Sequence, residues 1–125
     1  MQHSFRCKDE VDINNLMSIS PYLLEIFASF TLWSHQRGLP VVVTSIIDDS
    51  VKRVSSTHKT GRAIDISARG WDKVSIKEAV EHFNFIYKRY GAVSYSDGQA
   101  RAIVFHNSGY GDHFHLQVRP NIVNN

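Results

Sequence analysis

Two short stretches alternate in chemistry with a period of two, and they restrict the possible folds more than anything else in the chain. In Ala63-Ile64-Asp65-Ile66-Ser67-Ala68 an extended backbone sends successive side chains to opposite faces, so Ile64 and Ile66 face one side while Asp65 and Ser67 face the other. In His113-Phe114-His115-Leu116-Gln117-Val118 the same rule puts both imidazoles on one face and Phe114, Leu116 and Val118 on the core face. Both segments read as strands, each with an apolar side and a side bearing ionisable groups.

The remaining elements fall around these two. Val41 to Ile47 is short and β-branched, as a buried central strand should be, and Asp48-Asp49-Ser50 after it reads as a loop. Ala102-Ile103-Val104-Phe105 is a further strand candidate, separated from His113–Val118 by a Gly-containing loop over 107–111, so the pair can form a hairpin. Ser20 and Pro21 supply an N-cap and a first-turn proline for a helix whose core face is Leu23, Ile26, Phe27, Phe30 and Trp33, stopped by Gly38 and Pro40. A second helix is expected from Ser75, with Glu78 completing a capping box, turning Ile76, Ala79, Val80, Phe83, Tyr87 and Tyr90 inward and ending at Gly91. This mixed order argues an α+β fold, mainly an antiparallel sheet flanked by helices. With 125 residues and 42% hydrophobic content, residues 1–125 suit a single domain with one core.

Composition narrows the chemistry. The 14 basic and 12 acidic residues give a net charge of +2, and no long run of one sign marks a nucleic-acid-binding arm. No stretch of about 18 apolar residues suggests a membrane span, and the amino terminus lacks the roughly 7 to 15 apolar residues of a secretory signal, so the expectation is a chain that is cytoplasmic when synthesised. Cys7 is the lone cysteine, which excludes an internal disulfide and a cysteine-based zinc site, so any metal must take nitrogen and oxygen ligands. Seven histidines stand out, because imidazole binds metals and moves protons near neutral pH.

Two clusters combine histidine with a carboxylate: Ser56 to Ile66 and Gly111 to Gln117. In the first, His58 lies on a polar loop and Asp65 on the strand it feeds, with Gly61 between them to let the backbone turn both side chains toward one point. Zinc takes His nitrogen and carboxylate oxygen at roughly 2.0 to 2.2 Å, and a catalytic site needs three protein ligands and an open position, so this cluster offers two of the three. In the second, one or both of His113 and His115 can meet the metal, and Asp112 follows Gly111 where a carboxylate can take a proton from bound water and pass it to a leaving amine. The other histidines are read as structural or solvated: His35 and His82 in helices, His3 in the terminus, His106 leaving a strand. Trp71 reads as a packed loop anchor, and Lys52, Arg53, Lys59 and Arg62 as solvated charges.

Together the clusters resemble the zinc peptidases of bacterial cell-wall metabolism, the D-alanyl-D-alanine carboxypeptidases of VanY type and the L-alanyl-D-glutamate endopeptidases of phage endolysins. The pattern S-x-H-x-x-G-x-A-x-D is met by Ser56, His58, Gly61, Ala63 and Asp65, and an acidic residue three positions before the last ligand histidine by Asp112 and His115. The resemblance spans roughly residues 40 to 118. It implies the hedgehog and D-Ala-D-Ala peptidase-like fold, Zn2+ held by His58, Asp65 and His115, Asp112 as general base, and His113 as an accessory catalytic histidine. It also implies a peptidoglycan stem peptide as substrate, reached after release from the cell; the expectation beside it is a monomer that engages neither nucleic acid nor membrane. The short chain without export signal favours a phage or prophage endolysin-like endopeptidase over a D-alanyl-D-alanine carboxypeptidase. Two alternatives are a non-catalytic zinc-stabilised binding module, as in the hedgehog signalling domain, and a virion-associated protein. One departure stands out: the family often carries T-S-G-Y-R, whereas Thr44-Ser45 is followed here by Ile46-Ile47-Asp48, so that either Arg53 or Arg62 substitutes for the family arginine or the substrate preference differs.

Overall fold

A computed structural model of the chain describes residues 5–46, 61–93, 97–108 and 111–120. The fold is α+β. A five-stranded sheet runs in the order β1 (Arg6–Cys7), β2 (Val42–Ser45), β3 (Ala63–Ser67), β7 (Gly111–Gln117) and β6 (Ile103–Ser108), and β4 (Ala92–Val93) pairs with β5 (Ala100–Arg101) in a small second sheet. Every pairing is antiparallel except β1 with β2, which is parallel, so the main sheet is mixed. Sequence periodicity misses β1, β4 and β5, because two residues are too few to show an alternation.

Helix α1 (Pro21–Gln36) starts where the sequence predicts, with the Ser20 hydroxyl accepting from the Tyr22 N–H and proline in the first turn. Helix α2 (Lys73–Ile86) starts two residues before the expected Ser75. Its N-cap is Asp72, whose carboxylate accepts from the Ser75 N–H at 3.0 Å and from the Ser75 hydroxyl at 2.7 Å. Those bonds hold the Asp72 carboxyl below its usual range, the side-chain bond from Ser75 contributing most. The helix also stops at Ile86, well before Gly91. That glycine serves a different purpose, since a Cβ there would collide with the backbone of Arg101 and Ala102.

The core lies on one side of the main sheet. Val43, Ile64, Ile66, Ile103, Phe114 and Leu116 present their side chains to Leu23, Ile26, Phe27 and Phe30 of α1 and to Ala79 and Phe83 of α2. Trp71 is the packed anchor expected of it: the ring stacks on Phe30 at 5.6 Å and its Nε1–H donates to the Pro40 carbonyl at 2.8 Å. None of the described helices is long and apolar enough to cross a membrane.

Asn84 ties α2 to the head of β6. Its Oδ1 accepts from the Ala102 and Ile103 N–H groups at 2.8 and 3.0 Å, and its Nδ2 donates to the Ile103 carbonyl at 2.9 Å. Ala102 and Ile103 are fully buried, so Asn84→Leu would leave three backbone groups without water or partner. The variant is expected to lose about 3 kcal/mol of unfolding free energy in urea titrations. A loss below about 0.5 kcal/mol would show that the loop rearranges to satisfy those groups itself.

Candidate metal centre

The register of the sheet decides which side chains meet. On the face opposite the core, Asp65 of β3 lies directly across from His115 of β7, and Ser67 lies across from His113. On the other side of β7, Val104 opposes His115 and His106 opposes His113. Because paired residues share a face, Asp65, His106, His113 and His115 form one polar patch spanning three strands.

Asp65 and His115 are bonded to each other, with His115 Nδ1 and Asp65 Oδ1 2.8 Å apart. Their side chains are only 8% and 12% exposed, so a carboxylate and an imidazole have been taken out of water together. A carboxylate oxygen and an imidazole nitrogen at adjacent positions match the nitrogen and oxygen chemistry that zinc accepts. A divalent cation would displace the proton shared between them, so the pair fits a metal as two of its ligands. The third expected ligand, His58, lies outside the described residues. Among the described residues no group of three or more His, Cys, Asp or Glu side chains is arranged to hold a metal ion.

A cleft of about 880 Å³ opens on this face, and Asp65, Asp112 and His113 all line it. Asp112 sits at the outer end of β7, following Gly111 at φ +103, and is exposed. Strand alternation alone would group Asp112 with Phe114 and Leu116 on the core side, but at the strand's open end its carboxylate borders the cleft. Its backbone is fixed independently, since the Asp112 carbonyl accepts from the Ala68 N–H at 3.0 Å. His113 turns its Nδ1 to within 3.3 Å of the Gly111 carbonyl. The structure thus brings Asp65, Asp112, His113 and His115 to one side of the sheet, and the fifth candidate, His58, lies outside the described residues.

His106 is the residue that sequence reasoning misses. Rather than leaving its strand it lies inside β6, which runs on to Ser108, because the hairpin pairs Asn107 with Asp112 and Ser108 with Gly111. The expected loop over 107–111 is thus corrected at both ends, since Asn107 and Ser108 belong to β6 and Gly111 to β7. The His106 ring stands 5.2 Å from that of His113 and 5.9 Å from that of His115. Desolvation lowers its pKa first and most, the like charges of His115 and His113 lower it further, and Asp65 opposes them. His106 therefore stays neutral where a free histidine would begin to protonate. The signal that could have found it is its distance from the turn, which fixes it opposite His113 once a short hairpin is assumed.

Of the arginines expected to replace the family arginine, Arg53 lies outside the described residues. Arg62 donates from Nη1 to the Val118 carbonyl at 3.2 Å and is not among the residues lining the cleft. Comparisons with family models, with curated proteins and with solved structures find no match to this chain.

Proposed function

We propose that the chain is a zinc-dependent peptidoglycan peptidase that cuts the stem peptide as an endolysin-like L-alanyl-D-glutamate endopeptidase. The observation that carries this reading is the buried Asp65–His115 pair, 2.8 Å across, beside a cleft lined by Asp112 and His113. These are the residues that the motif spacing selects. The same reading assigns the sheet and its two helices to the hedgehog and D-alanyl-D-alanine peptidase type of α+β fold.

In this mechanism His58, Asp65 and His115 would hold the zinc ion. Zinc at these residues would supply Lewis acidity toward the scissile carbonyl and would lower the pKa of a water there toward about 7. Asp112 accepts the water proton on a carboxylate oxygen and returns it to the leaving amine nitrogen, a cycle that requires an exposed carboxylate able to gain and lose one proton. His113, on the same strand face as His115, offers a ring N–H to the negative charge that develops on the carbonyl oxygen. His106 packs against His113 and limits the orientations open to its ring.

Digestion of purified cell-wall sacculi tests this directly. With zinc present the expected products are peptides cut between L-Ala and D-Glu, identified by mass, and a chelator should abolish their release until zinc is restored. Loss of a single terminal D-Ala would assign the carboxypeptidase reaction instead. No cleavage, or cleavage indifferent to the chelator, would overturn the reading.

A further inference from the structure

The cleft carries more positive charge than the peptidase mechanism uses. Arg6 and Lys8 line it from the β1 edge, and Arg69 lines it just past the end of β3. The fold itself aims them there: Cys7 pairs with the buried Val43 and packs toward the core, so its neighbours Arg6 and Lys8 turn to the face that carries Asp65 and His113. Backbone bonds hold this segment in place, from the Arg6 N–H to the Val41 carbonyl and from the Lys8 N–H to the Val43 carbonyl, each 3.0 Å.

Among the described residues no carboxylate pairs with any of these three cations, whose ion-pairing contrasts with that of Arg101, held by Asp97, and Lys77, beside Glu81. Of the two carboxylates in the cleft, Asp65 is bonded to His115 and Asp112 stands at the β7 end. Thr44 and Ser45 border the same cleft with hydroxyl groups. This end of the cleft is therefore lined by positive charge and hydroxyl groups, the chemistry that binds an anion.

We propose that the β1 end of the cleft is a subsite for a carboxylate of the peptide substrate, separate from the centre that cleaves the bond. The proposal rests on the peptidase reading above. Geometry sets how far that carboxylate lies from the cut. Neighbouring strands are about 4.8 Å apart, so β1 stands roughly 10 Å from β3 and 14 Å from β7. At about 3.3 Å per extended residue, that separation corresponds to three or four residues of substrate. A terminal residue being removed singly carries its carboxylate next to the scissile bond, nearer β3 and β7 than the β1 edge. The subsite therefore selects an acidic peptide cut internally, which favours endopeptidase over carboxypeptidase action.

The test uses the full-length, zinc-loaded protein and two stem peptides that differ only in whether the carboxylate three residues from the cut is free or amidated. The parent should prefer the free acid by at least about tenfold in kcat/KM, mostly through KM, and that preference should shrink as salt is raised. In the double variant Arg6→Gln, Lys8→Gln the ratio should fall toward one, whereas Lys77→Gln, on the far helix, should keep the parental ratio. A parent without preference, or a double variant that retains it, overturns the subsite. If the parent cleaves neither peptide, the peptidase reading fails, and calorimetric binding of the same two peptides then reads the subsite alone. Tighter binding of the acid that disappears in the double variant supports it, and equal binding of acid and amide overturns it.

Discussion

Asp112→Asn is expected to lower kcat by about 10³-fold while the zinc content of the protein stays that of the parent. Asparagine keeps the size and polarity of the side chain but cannot take up the proton of the attacking water. Strand pairing should survive, because the Asp112 contact with Ala68 uses the backbone carbonyl and is indifferent to the side chain. Turnover of sacculi and metal analysis on the same preparation separate the two effects. Cleavage at the parental rate would remove Asp112 from the mechanism, and loss of zinc would make it a ligand.

His115→Ala is expected to do the opposite, abolishing zinc uptake and destabilising the fold even when no metal is present. The Asp65 carboxylate would keep its buried position and lose the imidazole 2.8 Å away. Removing one partner of a buried pair costs about 3 to 5 kcal/mol, because the remaining charge stays out of water. Urea unfolding in chelator measures that cost without the contribution of zinc. Adding Asp65→Asn to the variant should recover part of the loss, since the stranded charge is then gone. If His115→Ala binds zinc as the parent does, the assigned ligand set is wrong.

Much of this architecture is legible in the sequence wherever a pattern is long enough to repeat. Helix α1 shows its cap, its proline and its apolar stripe, and the alternation in β3 and β7 alone places Asp65, His113 and His115 on the face opposite the core. The misreadings have specific causes. Asp72 and Ser75 can each cap a helix, and the choice of Asp72 depends on two bonds that Ser75 donates to its carboxylate, which spacing does not distinguish from a capping box begun at Ser75. His106 is hidden because its role depends on the register of the hairpin, which one residue of turn length would shift. The parallel strand β1 and its cations are hidden because two residues carry no period, and their position is decided by contacts with Val41 and Val43 some 35 residues away in the chain.

The bond between Asp65 and His115 also bears on the order in which the molecule can assemble. His106, His113 and His115 belong to one hairpin and can come together through local pairing alone, whereas Asp65 is separated from His115 by 50 residues of chain. Closing a loop of that length costs roughly 3 to 4 kcal/mol of chain entropy, a cost that local strand pairing avoids. An ion held by both segments would act as a reversible crosslink between the hairpin and a strand remote from it in the chain. On the proposed reading, metal uptake would come last in folding, after the topology that brings Asp65 beside His115 is complete.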